Sequence, residues 1–496
     1  MGTSPYDVRQ VSDGARIVEV AGPSKHDVKG YVSDLCPRRR GRRDVEINHG
    51  YEIRKIHYSG NAENRIDVVF MGDGYTRSEK QKFFADTGRL VNELFQGEPF
   101  SEMAPILNFW GIFVESSVSG IGQFNDIGTP FGVHRMHGQL RGLFFYRQDL
   151  ARSMCRMTGK LACDFPAILA NDNYMGGMGG EFIMSTSANR SGIFGLRHEI
   201  GHSFGDFGEE YDNGYAYDGA NSSPELTSIP WKHWLTGPLR KERLIYRILE
   251  YPWHDLTTPF ARSFVSTGKY FGWWLVLSVT SANESNALQI QFDNTTLPWT
   301  SNHHNDREFY EWKHSTPITR GPHTITIRSQ TPNTFHIPRM LGSITLHELG
   351  SPAELNVSNH HYSAYPTWSN TRKKTYRPTH YGCLMRNMTS HSFCNVCMES
   401  MWLNLLQRLS LIETVSFHNS TIFLTTLSLG QLRTLPPVDS LHIEWYLEAF
   451  PQPHLTNRFQ VTHPSRGNWN VTVHLKSKFI RLANHPATTD SFAFQI

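Results

Sequence analysis

Two long stretches of this chain, residues 262–349 and 415–496, consist of short β-branched and aromatic runs broken by turn residues, with no helical period between them. WWLVLSVTS, NALQIQFDN and HTITIRSQT in the first, and TIFLTTLSL, LHIEWYLEA and NWNVTVHLK in the second, can bury their apolar positions only in sheets. The texture elsewhere differs. Ile66-Asp67-Val68-Val69-Phe70 reads as a buried strand, Gly72-Asp73-Gly74 as a turn, and Ser78 onward as a helix with Phe83, Phe84, Leu90 and Leu94 at near-helical spacing. Residues 109–114 and 163–170 read as further strands, and 398–411 return to a helical period. With 496 residues the chain exceeds what one core usually holds. The expected architecture is an α/β (α+β) domain over 61–261 and 350–411, with an all-β module inserted at 262–349. A β-rich segment, 1–60, precedes it, and a β-sandwich of immunoglobulin-like size, 412–496, follows.

Composition narrows the function classes. Hydrophobic residues at 39% and charged residues at 19% exclude a disordered chain or a coiled coil. A net charge of +3 gives no reason to expect nucleic-acid binding, and no apolar run is long enough to predict a membrane span. The basic run Arg38 to Arg43 reads as a solvated loop, with processing as the alternative. MGTSPYDVRQ lacks the apolar core of a secretory signal, yet eight Asn-x-Ser/Thr sequons point toward a secreted glycoprotein. These are Asn189, Asn221, Asn283, Asn294, Asn356, Asn387, Asn419 and Asn470. The expected localisation is extracellular. Six cysteines are too few for a disulfide framework, though Cys155 with Cys163, and Cys394 with Cys397, are close enough to bridge. FCNVC lacks the context of a redox motif, and neither a second CxxC nor an HxxxH completes a structural zinc site around it.

The chemistry is concentrated in Leu196-Arg197-His198-Glu199-Ile200-Gly201-His202-Ser203-Phe204-Gly205. On a helix His198 and His202 lie one turn apart on one face, where two imidazoles can grip one Zn²⁺. Glu199 then projects beside the ion, placed to take a proton from water. Chance would supply about 0.06 HExxH matches in a chain of this composition. A zinc ion held by two histidines needs a third protein ligand and an open position, and the carboxylates of Asp206-Phe207-Gly208-Glu209-Glu210-Tyr211-Asp212 follow at once. Gly205 is expected to end the helix and turn the chain back toward the metal.

His-Glu-x-x-His-x-x-Gly resembles the opening of the metzincin metallopeptidase motif, and HEIGHSFGDFGEEYD is similar to the immunoglobulin A peptidase family of zinc metallopeptidases. FMGDGYTRSE at 70–79, the stretch from Pro99 to Gly120 with NFWGIFVESSVSG, TYRPTHYGCLMRNM at 375–388 and FCNVC at 393–397 carry the same resemblance. It covers roughly residues 65–215 and 340–410. The resemblance implies a metzincin-like catalytic domain, one catalytic zinc ion and a methionine-containing turn, matched here by Met385. Most metzincins place the third ligand three residues after the glycine, which here is Gly208 and cannot ligate. Glu209 and Glu210 stand as equal candidates, with Asp206 behind them. Asn387 occupies the place of the tyrosine some metzincins carry two residues after the methionine, so no oxyanion-assisting tyrosine is assigned, and Tyr211 and Tyr381 read as packing residues.

The expected function is zinc-dependent hydrolysis of peptide bonds in proteins or peptides, with Glu199 as general base. A secreted glycan- or protein-binding protein on an inactive protease scaffold is the competing reading, since the β modules offer surfaces for such contacts. The glycine-rich loop from Asn171 to Gly180 reads either as a rim where an extended substrate pairs with an edge strand or as a plain surface loop. His347-Glu348, His303-His304 and His360-His361 read as structural or solvated, and FMGDGYT lacks the Lys-Ser/Thr of a phosphate loop.

Overall fold

A computed structural model describes residues 6–10, 16–20, 50–136, 139–159, 161–333, 336–429, 440–482 and 484–496. The basic run from Arg38 to Arg43 lies outside them. Residues 1–48 form a unit of their own, in which β1 (Tyr6–Gln10) pairs antiparallel with β2 (Arg16–Val20). All other elements belong to the second unit, His49–Ile496.

The second unit begins with β3 (Tyr51–His57) and β4 (Ile66–Asp73). All eight residues of β4 are buried, Asp67 and Asp73 along with the apolar ones, as expected of a strand covered on both faces. Glu79 caps the start of the helical segment: the Thr76 hydroxyl and amide both donate to its Oε2 at 2.9 Å. Helix α1 (Lys80–Leu94) buries Phe83, Phe84, Thr87, Leu90, Val91 and Leu94 along one stripe. A single turn, α2 (Phe100–Met103), leads into β5 (Leu107–Val114). Next come α3 (Gln148–Cys155), β6 (Phe165–Ala170), β7 (Gly177–Met178), β8 (Ile183–Thr186) and α4 (Gly192–Gly205). The six strands order as β3-β5-β4-β6-β8-β7; β5, β4, β6 and β8 run parallel, with antiparallel strands at both edges. Cys155 and Cys163 form the expected disulfide between α3 and β6.

Next come β9 (Leu244–Glu250), β10 (His254–Asp255), β11 (Phe260–Ser266), β12 (Gly272–Val279), β13 (Leu288–Phe292), β14 (Thr295–Thr296), β15 (Glu308–His314), β16 (Gly321–Ser329) and β17 (Met340–Leu349). One sheet orders β10-β17-β12-β15, with β9 also on β17; the other orders β11-β16-β13-β14. Leu275, Leu277, Ile344 and Leu346 of the first and Phe260, Ile290, Ile325 and Ile327 of the second share one hydrophobic core. The sheet takes in β9 and β10, which lie before residue 262, because Leu244 to Glu250 pair with Leu349 to Ile344.

The chain then passes through the hairpin β18 (Tyr365–Trp368) and β19 (Lys374–Arg377) to α5 (Asn395–Leu406), which starts three residues before the sequence signal, at the Cys394 cap. The C-terminal strands are β20 (Ile412–His418), β21 (Thr421–Thr426), β22 (Ser440–Leu447), β23 (Phe450–Pro451), β24 (Gln460–Thr462), β25 (Asn468–Lys476) and β26 (Thr489–Gln495). They form sheets ordered β20-β21-β24 and β23-β22-β25-β26. Ile422, Trp445, Val471 and Val473 from these sheets join the same core as Phe70, Leu90, Leu196 and Trp402. The chain is thus mixed α/β, mostly multiple sheets with few helices and no barrel among the described residues. No helix of the described residues is long and apolar enough to cross a membrane.

Candidate active site

Helix α4 carries the histidines, and its packing explains why so much of it is small or apolar. Leu196, Ile200 and Phe204 are buried in the main core, so the face bearing His198, Glu199 and His202 is turned to a cleft. The helix ends differently from the sequence expectation. The left-handed residue is Asp206 (φ 51°), whose amide donates to the His202 carbonyl. Gly205 is glycine for a steric reason: a Cβ there would lie 1.8 Å from Phe207 Cε1. Phe207 tucks under the helix end, and its carbonyl faces His202 Nδ1 at 2.9 Å. With Nδ1–H donating there, the neutral form of His202 carries its lone pair on Nε2.

The two carboxylates that the sequence left as equals go to different places. Glu209 reaches the histidines, with Oε2 3.2 Å from His198 Nε2 and Oε1 3.3 Å from His202 Nε2. Glu210 turns away into a buried cluster with Cys383, Cys394 and Cys397. Asp206 is exposed and joins neither group. Nitrogen and oxygen ligands about 2.0–2.1 Å from a tetrahedral ion lie roughly 3.3–3.4 Å apart, so the spacing of His198, His202 and Glu209 fits a metal ion. Glu209 Oε2 is also buried without a hydrogen-bond partner. Met385 is fully buried, and its carbonyl accepts the Glu210 amide at 3.2 Å, tying its segment to the one that carries Glu209.

Electrostatics follow from burial and proximity. Burial raises the Glu199 pKa, an effect that His198 and His202 oppose. Burial also pushes Glu209 upward, but His202 and His198 outweigh it and hold the carboxylate well below its usual range. For His202 burial lowers the pKa, yet Glu209 outweighs this and raises it to about 9. Asp212 braces the segment: it accepts from the Trp368 amide at 3.0 Å and from Arg386 at 2.7 Å, and His347 Nε2 lies 3.0 Å away.

The cleft has a volume of about 560 Å³, and the β module supplies one wall through Trp274, Phe309 and His347. Several lining residues escaped the sequence reading. Tyr211 and Tyr381, taken as packing residues, both line the cleft, and the Tyr211 hydroxyl donates to Glu209 Oε1 at 3.0 Å. Arg141 lies over the Tyr251 ring at 4.4 Å, and Arg307 enters from the end of the loop before β15. None of these has a sequence signal, because each depends on which distant segment the fold brings to the cleft. The glycine-rich loop includes the edge strand β7, but Gly177 is already paired: its amide donates to Arg141 and its carbonyl accepts from Leu143. A substrate strand therefore cannot pair at Gly177. Of the sequons, Asn221 is fully buried, donates to Glu210 and bonds Gly208 in both directions, which rules it out as a glycan acceptor in the folded chain.

The IgA Peptidase M64 family profile matches residues 54–267, which contain α4 and the Glu209 segment. No curated protein matches the chain. Among solved structures, a ruminal GH26 endo-β-1,4-mannanase aligns at 10% identity over 22% of this chain and 22% of its own, with a TM-score of 0.16. A family 35 carbohydrate binding module from an environmental isolate aligns at 12% identity over 29% of this chain and 98% of its own, with a TM-score of 0.14. Scores this low carry no structural argument.

Proposed function

Starting from a chain that residues 54–267 assign to the IgA peptidase M64 family, and so to a family of metallopeptidases acting on proteins or peptides, we propose zinc-dependent endopeptidase activity with Glu199 as general base. The observation that carries this reading is the convergence of His198, His202 and Glu209 beside Glu199 in one cleft. These three residues would hold the zinc ion, which when bound supplies a Lewis acid at the cleft floor. Glu199 accepts the proton of the attacking water and delivers it to the leaving amine, a role its burial-raised pKa favours. Tyr211, a neutral donor at working pH because burial and Glu209 raise its pKa, fixes the Glu209 carboxylate. The β-module wall narrows the cleft around an extended chain.

The same proposal includes a metzincin-like catalytic core with Met385 in its turn, an inserted β module and a C-terminal sandwich. The two C-terminal sheets, which contact each other through β20 and β26, support the last of these. Secretion belongs here too, supported by the Cys155–Cys163 disulfide. The test is Glu199→Ala assayed on a proteome-derived peptide library, with cleaved bonds read by mass spectrometry. We expect zinc content unchanged and turnover reduced by roughly 10²–10⁴-fold. Full activity in the variant, or a wild-type protein that binds no zinc, would overturn the reading.

A further inference from the structure

We propose that Glu210, Cys383, Cys394 and Cys397 form a second metal site, a structural one for a thiophilic divalent ion such as zinc, behind the catalytic group. Their ligand atoms all lie within 4.8 Å of one another and all four residues are buried. The individual spacings come close to those of a coordination shell, the Glu210–Cys394 edge being the longest. Cys383 and Cys397 sulfurs are 3.7 Å apart, and Glu210 Oε1 lies 3.5 Å from Cys397 Sγ and 4.0 Å from Cys394 Sγ. A tetrahedral zinc with sulfur at about 2.3 Å and oxygen at about 2.0 Å sets sulfur–sulfur edges near ~3.8 Å and sulfur–oxygen edges near ~3.5 Å. A disulfide needs sulfurs at about 2.05 Å, well inside the Cys383–Cys397 separation. Cys394 and Cys397, whose short loop the sequence allows to bridge, are not joined either, and all three are free thiols.

Charge points the same way. Glu210 is fully buried and its Oε2 has no hydrogen-bond partner. Among the described residues no arginine or lysine forms an ion pair with it, and the Asn221 amide, 3.1 Å from Oε1, is its neutral donor. The Arg377 guanidinium acts on it only through space, without an ion pair; a buried carboxylate so weakly compensated is expensive, and a divalent ion shared with thiolates removes that cost. The chain supplies the usual scaffold: Cys394 caps α5 and Cys397 sits in its first turn, the CxxC half of a zinc site. The other half comes from the Met385 turn through Cys383 and from the segment after α4 through Glu210. This is why the sequence showed half a site, since Glu210 is 187 positions from Cys397.

The arrangement assigns the second ion a positioning role. Adjacent carboxylates, Glu209 and Glu210, face the two sites, so an ion on Glu210 anchors the segment that presents Glu209 to His198 and His202. Metal analysis of the full chain, purified without chelator, tests this together with a variant lacking the catalytic histidines, His198→Ala/His202→Ala. Two ions per chain are expected in the wild type and one in that variant, whatever the fate of peptidase activity. After cobalt exchange, the variant should retain thiolate-to-cobalt charge-transfer absorption, which histidine and carboxylate ligands cannot give. Adding Cys394→Ser and Cys397→Ser should abolish that absorption. A variant with no bound ion, cobalt spectra without thiolate bands, or a disulfide among Cys383, Cys394 and Cys397 in the active protein would each overturn the proposal.

Discussion

Gly177→Ala isolates the contribution of the glycine-rich loop to catalysis. An alanine Cβ at this position falls 2.5 Å from Glu199 Oε1, 3.0 Å from its Cγ and 3.1 Å from its Cδ. Ordinary contact begins at 3.4 Å, so the carboxylate must retreat by about 0.9 Å. Gly177 is not among the glycines with positive φ, so alanine strains nothing in the backbone itself. The yielding atoms are the end of a side chain facing a cleft, and swinging them about 30° off their rotamer costs roughly 1 kcal/mol. The fold should absorb that. Catalysis should not, because a misplacement near 1 Å in the reacting groups costs on the order of 10²-fold in rate. The expectation is a ~10²-fold fall in kcat, about 2.7 kcal/mol in barrier, with bound metal retained. Gly88→Ala is the control, since a Cβ there meets nothing within 4 Å; in the middle of α1 it should stabilise by about 1 kcal/mol and leave kcat alone. Steady-state cleavage of a peptide chosen from the library screen, with metal content and thermal unfolding measured on the same samples, decides the matter. Wild-type kcat in Gly177→Ala would refute the argument that this loop sets the Glu199 position.

Glu209→Ala should lose the catalytic ion at chelator concentrations the wild type resists, whereas Asp206→Ala should keep it; equal metal retention in the two would remove Glu209 from the ligand set. Replacing Cys155 and Cys163 by serine opens a loop with a sequence separation of 8, which corresponds to about 2.5 kcal/mol of chain entropy, and should lower the unfolding temperature with little change in kcat. His380 is buried, and burial together with Arg377 and Arg386 holds its pKa well below 6.5. Its unfolded form titrates near ~6.5, so below that pH the unfolded chain binds the extra proton and stability falls until the folded pKa is reached. His380→Gln should flatten the decline in unfolding temperature between about pH 7 and 5, and an unchanged slope would contradict the assignment.

The parts of this molecule that announce themselves in sequence are those whose physics is local. The β4 strand is legible because a parallel strand covered on both faces is mostly apolar, here at Ile66 and from Val68 to Met71, and α1 because one buried stripe imposes a helical period. His198, Glu199 and His202 are legible because a single turn of helix suffices to aim two imidazoles at one point. Glu209 and Glu210 mark the limit. Adjacent residues after a helix end can face either way, and the choice is made by Phe207 under Gly205, by Asn221 holding the Gly208 backbone, and by Asp212 clasped between Arg386 and the Trp368 amide. Arg386 and Trp368 come from far along the chain, and the side-chain packing of Phe207 and Asn221 follows no fixed spacing, so no spacing rule encodes the choice. The same reasoning explains the cysteines: a CxxC without a second pair reads as incomplete until the fold brings Cys383 and a carboxylate to it. Gly205 was legible as a glycine but not for its reason, because a residue that makes room for a neighbouring ring leaves the same letter as one that turns the backbone. What sequence conveys about a site is thus its local half; the other half is set by which distant segments the core forces together.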